Sequence, residues 1–306
     1  MDVRYAHQGT LAGVDYTAGL TMNNNPTVQD LWNSTPAWGF PYVSSALAPT
    51  PAASTLIDNN LGLNVLGGGV YASINDWVYL EADGYHGLSR NALGSLGIPV
   101  AGTDVYDGFI PYWRVAIEHD FGGEHYVEFG TYGLAASRFP GGDQTTGLTD
   151  TLTDTAFDAN YQWHEDPDNI VSSHATFIHE NQALKASHAL DPTVNPNNKL
   201  DTFRADVSYS YEATYTPSLQ YFNTHGSNTA NGSPNSQGYI VELGYVPFGK
   251  PDSPLPWVNG RLALQYMGYT EFDGTSSHAS DNNTIFLNLW LALDPIAPFT
   301  KSAGSN

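Results

Sequence analysis

Read with a period of two, residues 258–272 put Val258, Gly260, Leu262, Leu264, Tyr266, Gly268, Thr270 and Phe272 on one side and Asn259, Arg261, Gln265 and Glu271 on the other. Successive side chains along a strand point to opposite faces, so the stretch predicts a long β-strand with one apolar and one polar side. The same alternation recurs in 14–23, 63–73, 77–86, 112–121, 125–137, 153–164, 170–184, 202–211, 215–224, 238–248 and 284–293, with a short ambiguous stretch at 2–7. That makes about thirteen strands. Their connections alternate between short turns, such as Asn75-Asp76 and Gly122-Gly123, and long segments, of which 24–60 is the longest. Five prolines between Pro26 and Pro51 exclude a regular element there and predict a large loop. The layout predicts an all-β, antiparallel up-and-down meander with trimmed turns at one end and elaborate loops at the other.

A period of two fits a soluble sandwich as well as a barrel in lipid, because turning a sheet inside out preserves the pattern. Composition separates them. Charged residues are 13% of the 306, with only four lysines, against roughly 25–35% on an ordinary soluble surface. Trp and Tyr fall near strand ends, at Trp77, Tyr79, Tyr112, Trp113, Tyr161, Trp163, Trp257, Tyr266 and Tyr269, where membrane interfaces favour such rings. Arg4, Arg114, Arg204 and Arg261 lie inside strands on the polar side, near Glu118, Asp206, Glu242 and Glu271. An arginine facing lipid at mid-bilayer costs about 2–4 kcal/mol, so the polar side is assigned to a wet or ion-paired lumen. The expected fold is a transmembrane β-barrel over residues 1–294, followed by a tail at 295–306. Arg114, Glu118, Arg204, Asp206, Arg261 and Glu271 are the expected lumen-lining residues, holding either an inserted segment or one another. A soluble β-sandwich used for binding stays open as an alternative.

The absence of a long apolar run, with mean hydropathy −0.30, excludes a transmembrane helix. With no cysteine, this chain offers no disulfide, thiolate metal site or covalent haem attachment. A net charge of −21 argues against nucleic acid as a partner. Among the ten histidines, His174 and His179 lie five apart on a strand and face opposite ways, so that strand cannot offer both to one metal. The acidic Asn-rich loops, such as 281–283, match no calcium-loop spacing, and their turn chemistry accounts for them. The run Gly67-Gly68-Gly69 has no following Lys or helix and reads as a kinked strand rather than a phosphate loop. No nucleophile triad or catalytic carboxylate pair stands out, and a non-enzyme is expected.

Five stretches carry a family resemblance: NNNPTVQDLWNSTPAWGFPY from Asn23, TFIHENQALKAS from Thr176, LDTFRADVSYSYEATY from Leu200, NGSPNSQGYIVELGYVPFGK from Asn231 and ASDNNTIFLNLWLAL from Ala279. In them the chain resembles a bacterial family of outer-membrane proteins, often labelled cytochrome c, in which a monohaem cytochrome segment precedes a porin-like barrel. The resemblance implies electron transfer across the outer membrane, with c-type haem on an N-terminal segment outside this chain and a periplasmic or extracellular redox partner. A passive uptake porin without redox role is the alternative. The final strand, TIFLNLWLAL, resembles the terminal recognition strand of bacterial barrels, although the chain continues beyond it. Ending that strand in the periplasm makes the short turns periplasmic and the long loops extracellular. Because bacterial barrels normally have an even strand number, about thirteen strands imply a barrel truncated from about sixteen.

Overall fold

A computed structural model describes residues 2–24, 42–61, 64–166, 168–230, 232–248 and 258–293. Expectations for 25–41, for the turn at 249–256 with Trp257, and for the tail at 295–306 lie outside the described residues. The strands are β1 (Asp2–Leu11), β2 (Val14–Asn23), β3 (Val65–Ile74), β4 (Val78–Gly87), β5 (Val105–Asp107), β6 (Phe109–Phe121) and β7 (His125–Phe139). They continue with β8 (Asp150–Asp166), β9 (Asn169–Ala183), β10 (Asn197–Ser210), β11 (Tyr215–Gly226), β12 (Ser236–Tyr245), β13 (Val258–Glu271) and β14 (Thr284–Leu293). All belong to one 14-stranded sheet in which each wall strand pairs with the next in chain order, while the short β5 lies off that path against β7. One continuous antiparallel meander is the layout of an outer-membrane barrel and not of a two-sheet sandwich. Among the described residues no ladder joins β1 to β14. The thirteen strands of the path leave these two edges running in the same direction.

Polarity is inverted relative to a water-soluble protein. Ile285 and Leu287 are each 73% exposed and Leu264 55%, whereas Arg114, Glu128 and Gln265 are wholly buried. Soluble exteriors do not present strand after strand of Leu, Ile, Val and Phe while enclosing Arg and Glu. The apolar positions face outward and the ionic ones into the concave side.

Tight turns set the trimmed end. Ala12-Gly13, Asn75-Asp76, Gly122-Gly123 and Glu212-Ala213 each have both central residues at positive φ, the I′-like form whose twist matches paired strands. The first turn therefore sits at Ala12-Gly13, and β1 runs on to Leu11, past the short stretch at 2–7 that the alternation marks. At the other end β6, β8 and β10 start several residues before their apolar alternation does. Hydrogen bonding continues there: the outward side turns polar on β8 and β10, while β6 keeps Phe109 and Pro111 outward, so alternation alone places those boundaries too late.

Gly67, Gly68 and Gly69 do not kink β3, because its pairing with β2 and β4 is continuous through them. A Cβ on Gly67 would collide with the Tyr85 ring, and one on Gly69 with Asp83. These glycines make room on the inner face for two larger side chains.

Aromatic rings outline the apolar belt. On the loop side Phe157, Phe177 and Phe203 sit directly across from one another on β8, β9 and β10, and Tyr221 faces Tyr239 on β11 and β12. On the turn side Tyr215 stacks on Tyr245 at 5.3 Å, His125 on Tyr161 at 6.1 Å, and Trp77 on His119 at 3.8 Å. From Tyr215 to Tyr221 is roughly 20 Å of strand, of the same order as the ~25 Å apolar band of such barrels. Above the loop-side row the outward positions become Thr155, His179 and Asp201, then Thr153, Asn181 and Lys199. Tyr79, Tyr112 and Tyr269 depart from their expected interfacial places: all three are buried on the inner side.

This belt sets an expectation for charge insertion. Leu264→Arg should cost about 2–4 kcal/mol at mid-belt, and Thr153→Arg, above the belt, about 0–1 kcal/mol. Urea unfolding of protein folded into lipid vesicles measures both, and equal costs would contradict the belt's position.

Candidate functional site

The concave side is filled by chain from the long connection between β2 and β3. Residues 42–61 cross the inner face, so this connection is not an external loop as its proline content suggests. At one end the amide of Gln265 on β13 clasps Val43, accepting its N–H at 2.8 Å and donating to its C=O at 2.8 Å. The Tyr269 hydroxyl donates to the Pro49 carbonyl at 3.3 Å, and the Ala52 N–H donates to Asp273 at 3.2 Å. A wide helical turn over Leu56–Asn60 follows. There the Leu56 N–H donates to Glu180 on β9 at 2.6 Å and the Ile57 N–H to Asp154 on β8 at 2.8 Å. Asp58 forms an ion pair with Arg204 on β10.

Apolar packing seats the same turn. Leu56, Ile57 and Leu61 are buried in a cluster with inward side chains from β3 to β9, among them Val65, Tyr85, Ile110, Leu134, Leu152 and Ile178. The loop-side half of the interior is thus an apolar core, not the uniformly wet lumen that alternation predicts. Burying each of the three aliphatic side chains contributes about 1.5–3 kcal/mol as an upper estimate. The two N–H bonds to carboxylates contribute about 1.5–3 kcal/mol each. The Asp58–Arg204 pair, with side chains 15% and 32% exposed, adds at most about 1 kcal/mol after solvent screening. Hydrophobic seating is the largest share, the carboxylate bonds aim it, and the ion pair trims it.

Below the turn sits an ionic knot. Arg114 on β6 reaches Asp158 on β8 with two nitrogens, at 2.8 and 2.9 Å, and Glu128 on β7 at 2.8 Å. Asn160 donates to both carboxylates, and the guanidinium lies 5.6 Å from the Tyr132 ring. All three ion-paired side chains are fully buried. A charge so placed is sustained only by paired, hydrogen-bonded neighbours.

The six residues expected to line the lumen are distributed among several partners. Arg114 belongs to the knot, while Glu118, half-buried, lies in register across from Glu128. Arg204 binds the inserted turn. Asp206 meets His174 of β9 at 3.1 Å. Arg261 pairs with Glu242 of β12, and Glu271 lies half-buried where the β12–β13 register shifts. Arg204 contacts the inserted segment, and Arg114 and Arg261 contact wall carboxylates. His179, on the outward side, bonds Asp201 at 2.6 Å. Asp154 and Glu180, which hold the segment, escape a sequence reading, and Gln265 shows in it only as a polar-side residue of 258–272. Their trace is an apolar pair, Leu56-Ile57, inside an otherwise Pro- and Asn-rich loop.

Comparison with known proteins adds little. No protein-family profile matches the chain, and none of the curated proteins does. Among solved structures, OmpT (in-vitro folded), an outer membrane protein of Vibrio cholerae, aligns over 95% of this chain and 91% of its own length, at 9% identity and a TM-score of 0.32. A score that low carries no argument, and the fold rests on the ladders and their sidedness.

Two measurements probe the interior. Arg114→Met leaves Glu128 and Asp158 without their guanidinium and should cost about 3–5 kcal/mol in unfolding free energy. Glu180→Ala removes an acceptor of the inserted turn, so cleavage within 42–61 by an added protease should quicken while β7–β10 stay resistant. Unchanged cleavage would show that the turn does not depend on that bond.

Proposed function

We propose that this chain is a β-barrel of the bacterial outer membrane, its lumen occupied by its own segment 42–61, serving, while that segment is seated, as the wall of a conduit that moves electrons rather than solutes. The observation that carries this reading is the seating of Leu56, Ile57 and Leu61 in an apolar core inside a sheet with a lipid-like exterior. A general diffusion porin keeps a water-filled lumen, and a packed one suits a scaffold better. Resemblance to the cytochrome–porin family supports the redox role.

The residues of this chain do not fit covalent haem attachment. It has no cysteine for thioether bonds. His174, on the inner side, is engaged with Asp206. No electron-transfer step is therefore routed through a haem on these residues, and the haem that the resemblance implies belongs to a segment ahead of the barrel.

Liposomes loaded with a reduced viologen dye and a neutral trisaccharide, carrying the full gene product and exposed to an external electron acceptor, test the proposal. Dye oxidation with retention of the sugar is expected from haem-bearing protein. Release of the sugar by haem-free protein would make the chain a passive porin instead, and a freely soluble monomer would remove the barrel reading altogether.

A further inference from the structure

The inserted turn is bonded to carboxylates that sit badly without it. Asp154 on β8 and Glu180 on β9 are directly opposite in register, an arrangement that brings their Cβ atoms to about 4.5–5.5 Å and is unfavourable for like charges. Both are buried. What the turn supplies to them is a pair of consecutive backbone donors, the Leu56 and Ile57 N–H groups. Four residues along β8 toward the trimmed end, Asp158 shares the guanidinium of Arg114 with Glu128. The wall itself is fixed by ladders that the segment does not join, since β8 pairs β7 and β9 along its length without it.

We propose that segment 42–61 is a gate, and that the lumen it vacates conducts cations in preference to anions. This rests on the barrel reading above. Withdrawing the turn takes Leu56, Ile57 and Leu61 out of the core and leaves the wall standing. It also takes the two N–H donors from Asp154 and Glu180, so the vacated interior presents opposed carboxylates to water above a knot that holds two carboxylates to one guanidinium. Carboxylate groups lining a constriction lower the free energy of a passing cation and raise that of an anion, more so between low-dielectric walls.

The test uses the full chain in planar lipid bilayers with a tenfold potassium chloride gradient. Leu56→Asn combined with Ile57→Asn unseats the turn without touching a wall strand or adding charge, and Glu180→Gln with Asp154→Asn is then added to remove the wall carboxylates. The first pair should raise conductance over the wild type by about an order of magnitude, with a zero-current potential of cation-selective sign. Adding the second pair should abolish at least about half of that potential. Unchanged conductance in a variant that is inserted and resists protease, or an anion-selective sign, would overturn the gate while leaving the barrel intact. Absence of wild type and variants alike from the membrane would overturn the barrel reading beneath it. Arg204→Ala, which loosens only the Asp58 contact, serves as a second and milder opening and should give the same sign.

Discussion

A peptide group in hydrocarbon has no water to bond, and the whole architecture follows from satisfying that group inside the sheet. From β2 to β13 each wall strand meets it on both sides by pairing with its neighbours in chain order. Strands so paired need outward side chains that lipid accepts, hence the rows of Leu, Val, Ile and Phe. They also need short returns, hence turns whose central residues adopt positive φ. At Glu212-Ala213 the requirement is met without glycine, which shows that the hairpin geometry outweighs the local cost of the left-handed conformation.

The same constraint shapes the inside. With lipid outside, charge is relegated to the concave face, and once the segment 42–61 lies on that face most of the charge is dry. Each ionic group then needs a partner within reach. Arg114 finds Glu128 and Asp158 across two strands, Arg261 finds Glu242 across one, and Arg204 finds Asp58 on the segment itself. The segment in turn brings apolar side chains to a face that alternation would leave wet. A barrel of this kind has two hydrophobic surfaces, one toward lipid and one toward its own inserted chain.

That second surface explains how function and fold are coupled here. The wall strands are held by their ladders and remain paired whatever the segment does. The segment is held mainly by burial of three aliphatic side chains and two N–H bonds, a small share of the structure's contacts. Two elements of such unequal tenure, one permanent and one seated, are what an occupied or regulated lumen requires.

Thirteen strands, their order and their sidedness were legible in the alternation of residues such as those of 202–211 and 258–272, because a period of two is a local property that each strand displays alone. The arginines were legible as inward for the same reason, a lipid-facing guanidinium being too costly. Their partners were not. Arg114 has Glu118 four residues along its own strand, yet its bonds cross to β7 and β8, and only the register between strands sets that geometry. Asp58 lies in a proline-rich stretch with no periodicity, so nothing local marks it as the partner of Arg204. Nor does composition distinguish a loop that hangs outside from one that folds in. That choice was made by the tertiary structure, since an inward apolar cluster drawn from seven strands exists only once those strands are assembled side by side.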